Sequence, residues 1–382
     1  MTDQALPRTA RTRLALPGLL LLVALCSACT SVNYYGQAIG GQLSLLGKRQ
    51  PLQTLINDPA TDEALRARLH AVEDIRRFAR ETLGLDVGKA YSSYVETGQD
   101  AIVWNVFAAP VYSVNARQWC YPLIGCASYR GYFSQQAALD YAERLNRKGF
   151  DTWVSGVRAY STLGWFADPV LDTFLGDDET ALAALLFHEL AHRLLYVKGD
   201  TTFNESFATS IEHYALGLWL HHNAGLATST NALALHQQRL EDELAFVALV
   251  SEHRERLARF YASADEALLA TGKAEQLEQL ASAIERFAQS SPSRANYRHW
   301  AKSLNNARLA PVQSYYGELP AMRARLARLS GDKCPTIDGA TSQCPAALSA
   351  YIEEMQVLAK QSQSERSARL AHWRMKEGRM EE

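Results

Sequence analysis

The residues best able to do chemistry stand close together in the stretch "FHELAHRLLYVKGDTTFNESF", residues 187–207. His188 and His192 are four positions apart, with Glu189 beside the first. On an α-helix, positions i and i+4 share a face, so both imidazoles can meet one metal ion while the glutamate lies next to it. A hydrolytic zinc site makes this demand, its carboxylate taking the proton of a water that the metal activates. The same pattern also suits an ordinary half-buried helix with satisfied histidines. A third protein ligand separates the two readings, and the candidate is Glu205, thirteen residues past His192.

Two helices must position these groups. The spacing predicts the first over 180–197, closed by Lys198 and Gly199, and the second over 203–222. A short connection makes such helices antiparallel neighbours, which could bring Glu205 back against the histidine face. Glu205 has a rival role, because Thr202 and Glu205 have the spacing of a capping box in which the glutamate serves its own helix. Glu212, seven residues on and on the same face, and Thr209 between them are candidates to orient a ligating histidine. Tyr160, His213, Tyr315 and Tyr316 are candidate donors to a transition-state oxyanion. Arg130 could bind a substrate carboxylate or simply make an ion pair.

Upstream, residues 61–84 carry an apolar helical stripe behind Thr61 and Asp62 as candidate caps. "YSSYVETGQDAIVWNVFAAPVYSV" reads as a hairpin or two strands, and "SQQAALDYAERLNRKGF" as a helix closed by Gly149. "DTWVSGVRAYSTLGWFADP" reads as strands turning at Gly156 and Gly164, with "YSTLGWF" an edge able to pair with an extended peptide. Downstream, helices are expected over 231–271, 273–290 and 346–376. The expected fold is α+β and predominantly α-helical: a small mixed β-sheet, then a zincin-type helix pair, then an α-rich C-terminal region. The corresponding divisions are 1–28, 29–90, 91–225 and 226–382.

The formal net charge of −2 gives no reason to expect a nucleic-acid partner. Arg8, Arg11 and Arg13 precede the apolar run "LALPGLLLLVAL", and small residues precede Cys29, the order of a secretory signal. The segment resembles a bacterial lipoprotein signal with Cys29 as the acylated residue. Thr30 after it favours an outer-membrane anchor facing the periplasm. The remaining pairs, Cys120 with Cys126 and Cys334 with Cys344, suit two short-loop disulfides in an oxidising compartment.

"NESFA" is similar to what the glutamate-ligand zinc peptidases, the gluzincins, carry on their second helix, here at a shorter interval from the histidines than in the best-known members. Together with "WCYPLIGCASYRGYF", "AYSTLGWFADP" and "NNARLAPVQSYYGELPAM", it resembles a family of predicted bacterial aminopeptidases that are envelope lipoproteins. The resemblance runs from the signal region to about residue 330. It implies a peptidase with one Zn2+ per chain, His188, His192 and Glu205 as ligands, Glu189 as catalytic base, a peptide as substrate and the membrane reached through a lipid anchor. The alternatives are an endopeptidase or amidase acting on envelope material, and a non-catalytic lipoprotein retaining the fold.

Overall fold

The computed structural model describes residues 34–121, 125–159, 162, 166–223, 231–331, 334 and 343–377. Cys29, Tyr160, Gly164 and the expected signal segment lie outside them. The chain divides into two units at Lys48. The described part of the first is a single helix, α1, over 34–47. The second unit runs from Arg49 onward.

A two-residue strand, β1 (Gln50–Pro51), leads into α2 (Leu52–Asn57) and then α3 (Glu63–Glu81). Asp62, not Thr61, caps α3, its carboxylate accepting the amides of Ala64 and Leu65. The stripe Leu69, Val72, Ile75 and Phe78 is buried, as its periodicity predicts.

Of the two readings, hairpin or two strands, the structure has two separate strands. Strands β2 (Ser93–Val95) and β3 (Val103–Pro110) enter different sheets. The segment between them is captured by Asp172, whose carboxylate accepts the amides of Thr97 and Gly98 and the Thr97 hydroxyl. Strands β4 (Trp119–Tyr121) and β5 (Gly125–Ala127) form a separate antiparallel ribbon. After β6 (Arg130–Tyr132) comes α4 (Gln135–Asn146), capped by Ser134 and followed by Gly149 at φ 80°. Strand β7 (Phe150–Val157) pairs antiparallel with β3, whose other edge takes β6. Gly156, expected at a turn, lies inside β7 opposite Trp104, where a Cβ would come within 2.9 Å of Ala101. The first sheet is mixed, with β1 antiparallel and β8 (Val170–Leu171) parallel to β2.

From here the chain is helical: α5 (Asp172–Leu175), α6 (Glu179–Leu194), α7 (Thr201–His222), α8 (Ala232–Ser263) and α9 (Leu269–Gln289). The expected long helix over 231–271 is broken at Ala264, which is extended. Helix α9 then packs on α8, and Gly272 leaves room for the Phe260 ring. After 3-10 turns come α10 (Ala310–Tyr316), α11 (Leu319–Ser330), α12 (Gln343–Ala359) and α13 (Gln363–Glu377). The expected helix over 346–376 is divided by a capping box. The Ser362 amide donates to the Glu365 carboxylate at 2.8 Å, and the Glu365 amide donates back to the Ser362 hydroxyl at 3.4 Å.

The architecture is α+β and rich in helix, with small sheets of two or three strands. Sheet and helices are joined at the start of α10. Asn306 donates to the carbonyls of Pro110 and Val111, and Phe107 packs with Ala307 and Ala310. That joint fixes where α10 carries Tyr315. Among the described residues no helix is long and apolar enough to cross a membrane.

Candidate metal centre

Helix α6 is capped by Asp178, whose carboxylate accepts the Ala181 amide, and it is buried at Leu182, Ala183 and from Leu186 to His192. It stops at Leu194, short of the expected Val197, because Leu195 turns extended. The connection to α7 is held by several short-range bonds. Asn204 accepts the Val197 amide and donates to the Val197 carbonyl, both at 2.8 Å. Gly199 adopts φ 80°, a left-handed conformation that favours glycine.

The capping-box reading of Glu205 fails here. The N-cap of α7 is Asp200, which accepts the Phe203 amide with one carboxylate oxygen. Its other oxygen accepts from the buried Arg366 at 2.6 Å, and that long-range ion pair draws the helix start back from Thr202. Glu205 therefore sits in the second turn, released from any cap.

Its carboxylate points instead at both histidines. Glu205 Oε2 is 3.4 Å from His188 Nε2 and 3.5 Å from His192 Nε2, and one ligand atom from each residue lies within 4.8 Å of the others. Ligands 2.0–2.2 Å from a tetrahedral zinc stand roughly 3.3–3.6 Å apart. These two separations match that spacing. Two imidazole nitrogens and a carboxylate oxygen are also the donor set of a zinc site that keeps a place for water. The residues fit the ion.

The surroundings suit the same reading. His188 Nδ1 lies 2.9 Å from Glu212 Oε2, so Glu212 can accept the Nδ1 proton and leave Nε2 as a lone-pair donor. Thr209 is buried on α7 but makes no hydrogen bond to either histidine among the described residues. Glu189 is buried beside the pair, its Oε2 without a hydrogen-bond partner among the described residues. Burial pushes the Glu189 carboxyl up, against the opposing pull of His192 and His188. Without a metal, Glu205 behaves oppositely. Burial would raise it, but the charge of His192 and hydrogen bonds from both histidines hold it down to about 2.

Of the oxyanion candidates among the described residues, Tyr315 packs against the ring of His188. Its ring lies nearly parallel to that of His188, with centroids 6.1 Å apart, and the charge of Glu205, then burial, pushes its hydroxyl well up. Tyr316 instead donates to Glu243. His213 Nδ1 accepts from Arg323 at 3.1 Å and Nε2 lies 3.8 Å from Glu243, on the wall of a cavity of about 220 Å³ shared with Tyr214 and His236. Burial lowers His213 to about 4. Arg130 lies over the rings of Tyr132 and Tyr141. Both short-loop disulfides are formed, Cys120–Cys126 and Cys334–Cys344.

Two tyrosines near the site have no signature in the sequence. Tyr196, partly exposed on the connection, is raised by burial and by the charge of Glu205. Tyr91 is buried at φ 57°, a strained conformation for an aromatic residue, and feels the charges of Glu189 and Asp168 after burial itself. Its amide donates to the Asp168 carbonyl at 2.7 Å. Only pairing between distant segments brings them here.

No curated protein and no solved structure matches the chain. A family model described as "Putative aminopeptidase" matches residues 33–370, nearly all of it. On that match, spanning α6, α7 and the sheets before them, the chain belongs to this aminopeptidase family.

Proposed function

We propose that the chain is a zinc-dependent peptidase, with His188, His192 and Glu205 as ligands and Glu189 as the general base. The observation that carries the reading is the convergence of His188 Nε2, His192 Nε2 and the Glu205 carboxylate, with Glu189 buried at their side. Bound there, zinc supplies Lewis acidity toward a peptide carbonyl and toward water. Glu189 accepts the attacking water's proton and returns it to the leaving amine, a task helped by the upward push that burial gives its carboxyl. Glu212 fixes the His188 ring, and Tyr315 is the favoured donor to the developing oxyanion.

The family match supports an aminopeptidase over an envelope endopeptidase or amidase. The signal-like N-terminus supports acylation at Cys29 and an outer-membrane anchor facing the periplasm. The test is Glu189→Gln. It should retain one zinc per chain and lose hydrolysis of unblocked peptides by at least a hundredfold. A variant as active as wild type, or wild type fully active after chelation, would refute the reading. Equal cleavage of N-acetylated and free peptides would replace exopeptidase by endopeptidase action.

A further inference from the structure

The ribbon β4–β5 supplies none of the three residues grouped around the candidate metal site, yet its backbone presses on the connection between α6 and α7. Gly125 and Gly199 face each other so closely that a Cβ on Gly125 would lie 2.6 Å from the Gly199 nitrogen and 2.7 Å from Lys198 Cγ. A Cβ on Gly199 would meet the Cys126 nitrogen at 3.4 Å. Both glycines have left-handed φ, 81° and 80°, so side chains are disfavoured there on two counts.

A two-stranded ribbon is at best marginally stable by itself. Here Cys120 stands directly opposite Cys126 in the ladder, and the disulfide closes the pair. Just beyond β5, the buried Ser128 hydroxyl bonds the Ser314 hydroxyl at 2.9 Å, one residue before Tyr315 on α10. The Tyr315 carbonyl in turn accepts from Ser206, the neighbour of Glu205, at 3.1 Å. The ribbon thus touches the connection at one end and α10 at the other, the two elements that carry Tyr196 and Tyr315.

We propose that the disulfide-closed ribbon is a brace for the α6–α7 connection, with Gly125 and Gly199 as positioning residues that set Glu205 against the two histidines. The consequence for metal affinity rests on the zinc reading above. Glu205 is in the second turn of a helix whose start is anchored by that connection, so a displaced connection moves the ligand with it. Metal sites tolerate only about 0.2 Å in ligand distance.

The test compares full-length wild type, Cys120→Ala/Cys126→Ala, Gly125→Ala, and Cys334→Ala/Cys344→Ala as the control disulfide. Hydrogen exchange of the amides over 197–204 is measured on metal-free protein, and zinc affinity by chelator competition with the ion alone. The first two variants should exchange faster over 197–204 and bind zinc at least tenfold more weakly, while the control matches wild type. Exchange over 197–204 unchanged in both variants would overturn the brace. Gly125→Ala keeps the disulfide, so it decides the matter if the double variant does not fold. A wild type that takes up no zinc would sink the metal reading alone, since the exchange comparison needs no metal.

Discussion

Glu205→Gln separates the roles open to this residue most cleanly. Asp200 caps α7 and Arg366 holds Asp200, so the substitution leaves the helix start intact. Glutamine has the shape of glutamate but is a far poorer metal ligand. With free zinc a hundredfold above its dissociation constant, wild type gains about 2.7 kcal/mol from binding. Unfolding entropy near 2.1 cal/mol/K per residue amounts to about 0.8 kcal/mol/K for this chain, which converts the gain to a melting-temperature rise of about 3 °C. Differential scanning calorimetry with and without zinc should show that rise for wild type and none for Glu205→Gln. The metal content after dialysis should fall from one per chain to near zero. An equal rise in both proteins would refute the ligand assignment. A metal-free variant that melts over a broadened transition would instead point to a structural role in α7.

Acid should destabilise the metal-free protein through the same carboxyl. Its folded pKa of about 2 lies below the ordinary 4.5, so its contribution of about 3 kcal/mol is present above pH 4.5 and is lost as pH falls toward 2. Urea midpoints measured between pH 5 and 2 should fall more steeply for wild type than for Glu205→Gln, and parallel curves would contradict this. Glu212→Ala should weaken zinc binding about 10- to 100-fold without unfolding the protein, as chelator competition would register; unchanged affinity would remove Glu212 from the site. Asp200→Ala removes a cap and strands the buried Arg366, so denaturant unfolding should show a loss of about 3–5 kcal/mol, and a loss below 1 kcal/mol would mean the pair is not formed.

What could be read from the chain itself follows the range of the forces involved. That His188 and His192 share one helical face, and Glu205 and Glu212 another, is legible because helical spacing alone decides it. The cap of α7 was not. Asp200, Thr201 and Thr202 can each cap a helix, and the choice is made by Arg366, 166 residues away. The break between β2 and β3 fits either a hairpin turn or two separate strands for the same kind of reason, since nothing nearby announces that Asp172 will bind its amides. The division of α12 from α13 is the opposite case, a local Ser362–Glu365 box hidden inside a polar run that otherwise reads as unbroken helix. Tyr91, Asp168 and Tyr196 belong with Asp200, their importance arising only when sheet pairing and helix packing bring their charges and rings beside Glu189 and Glu205. The three proposed ligands are therefore a local property of two helices, whereas the ends of those helices also meet contacts from elsewhere in the fold: Arg366 at the cap of α7 and Gly125 at the connection. Substitutions at such distant points should change metal affinity while leaving every ligand in place, a pattern that sequence motifs alone would never anticipate.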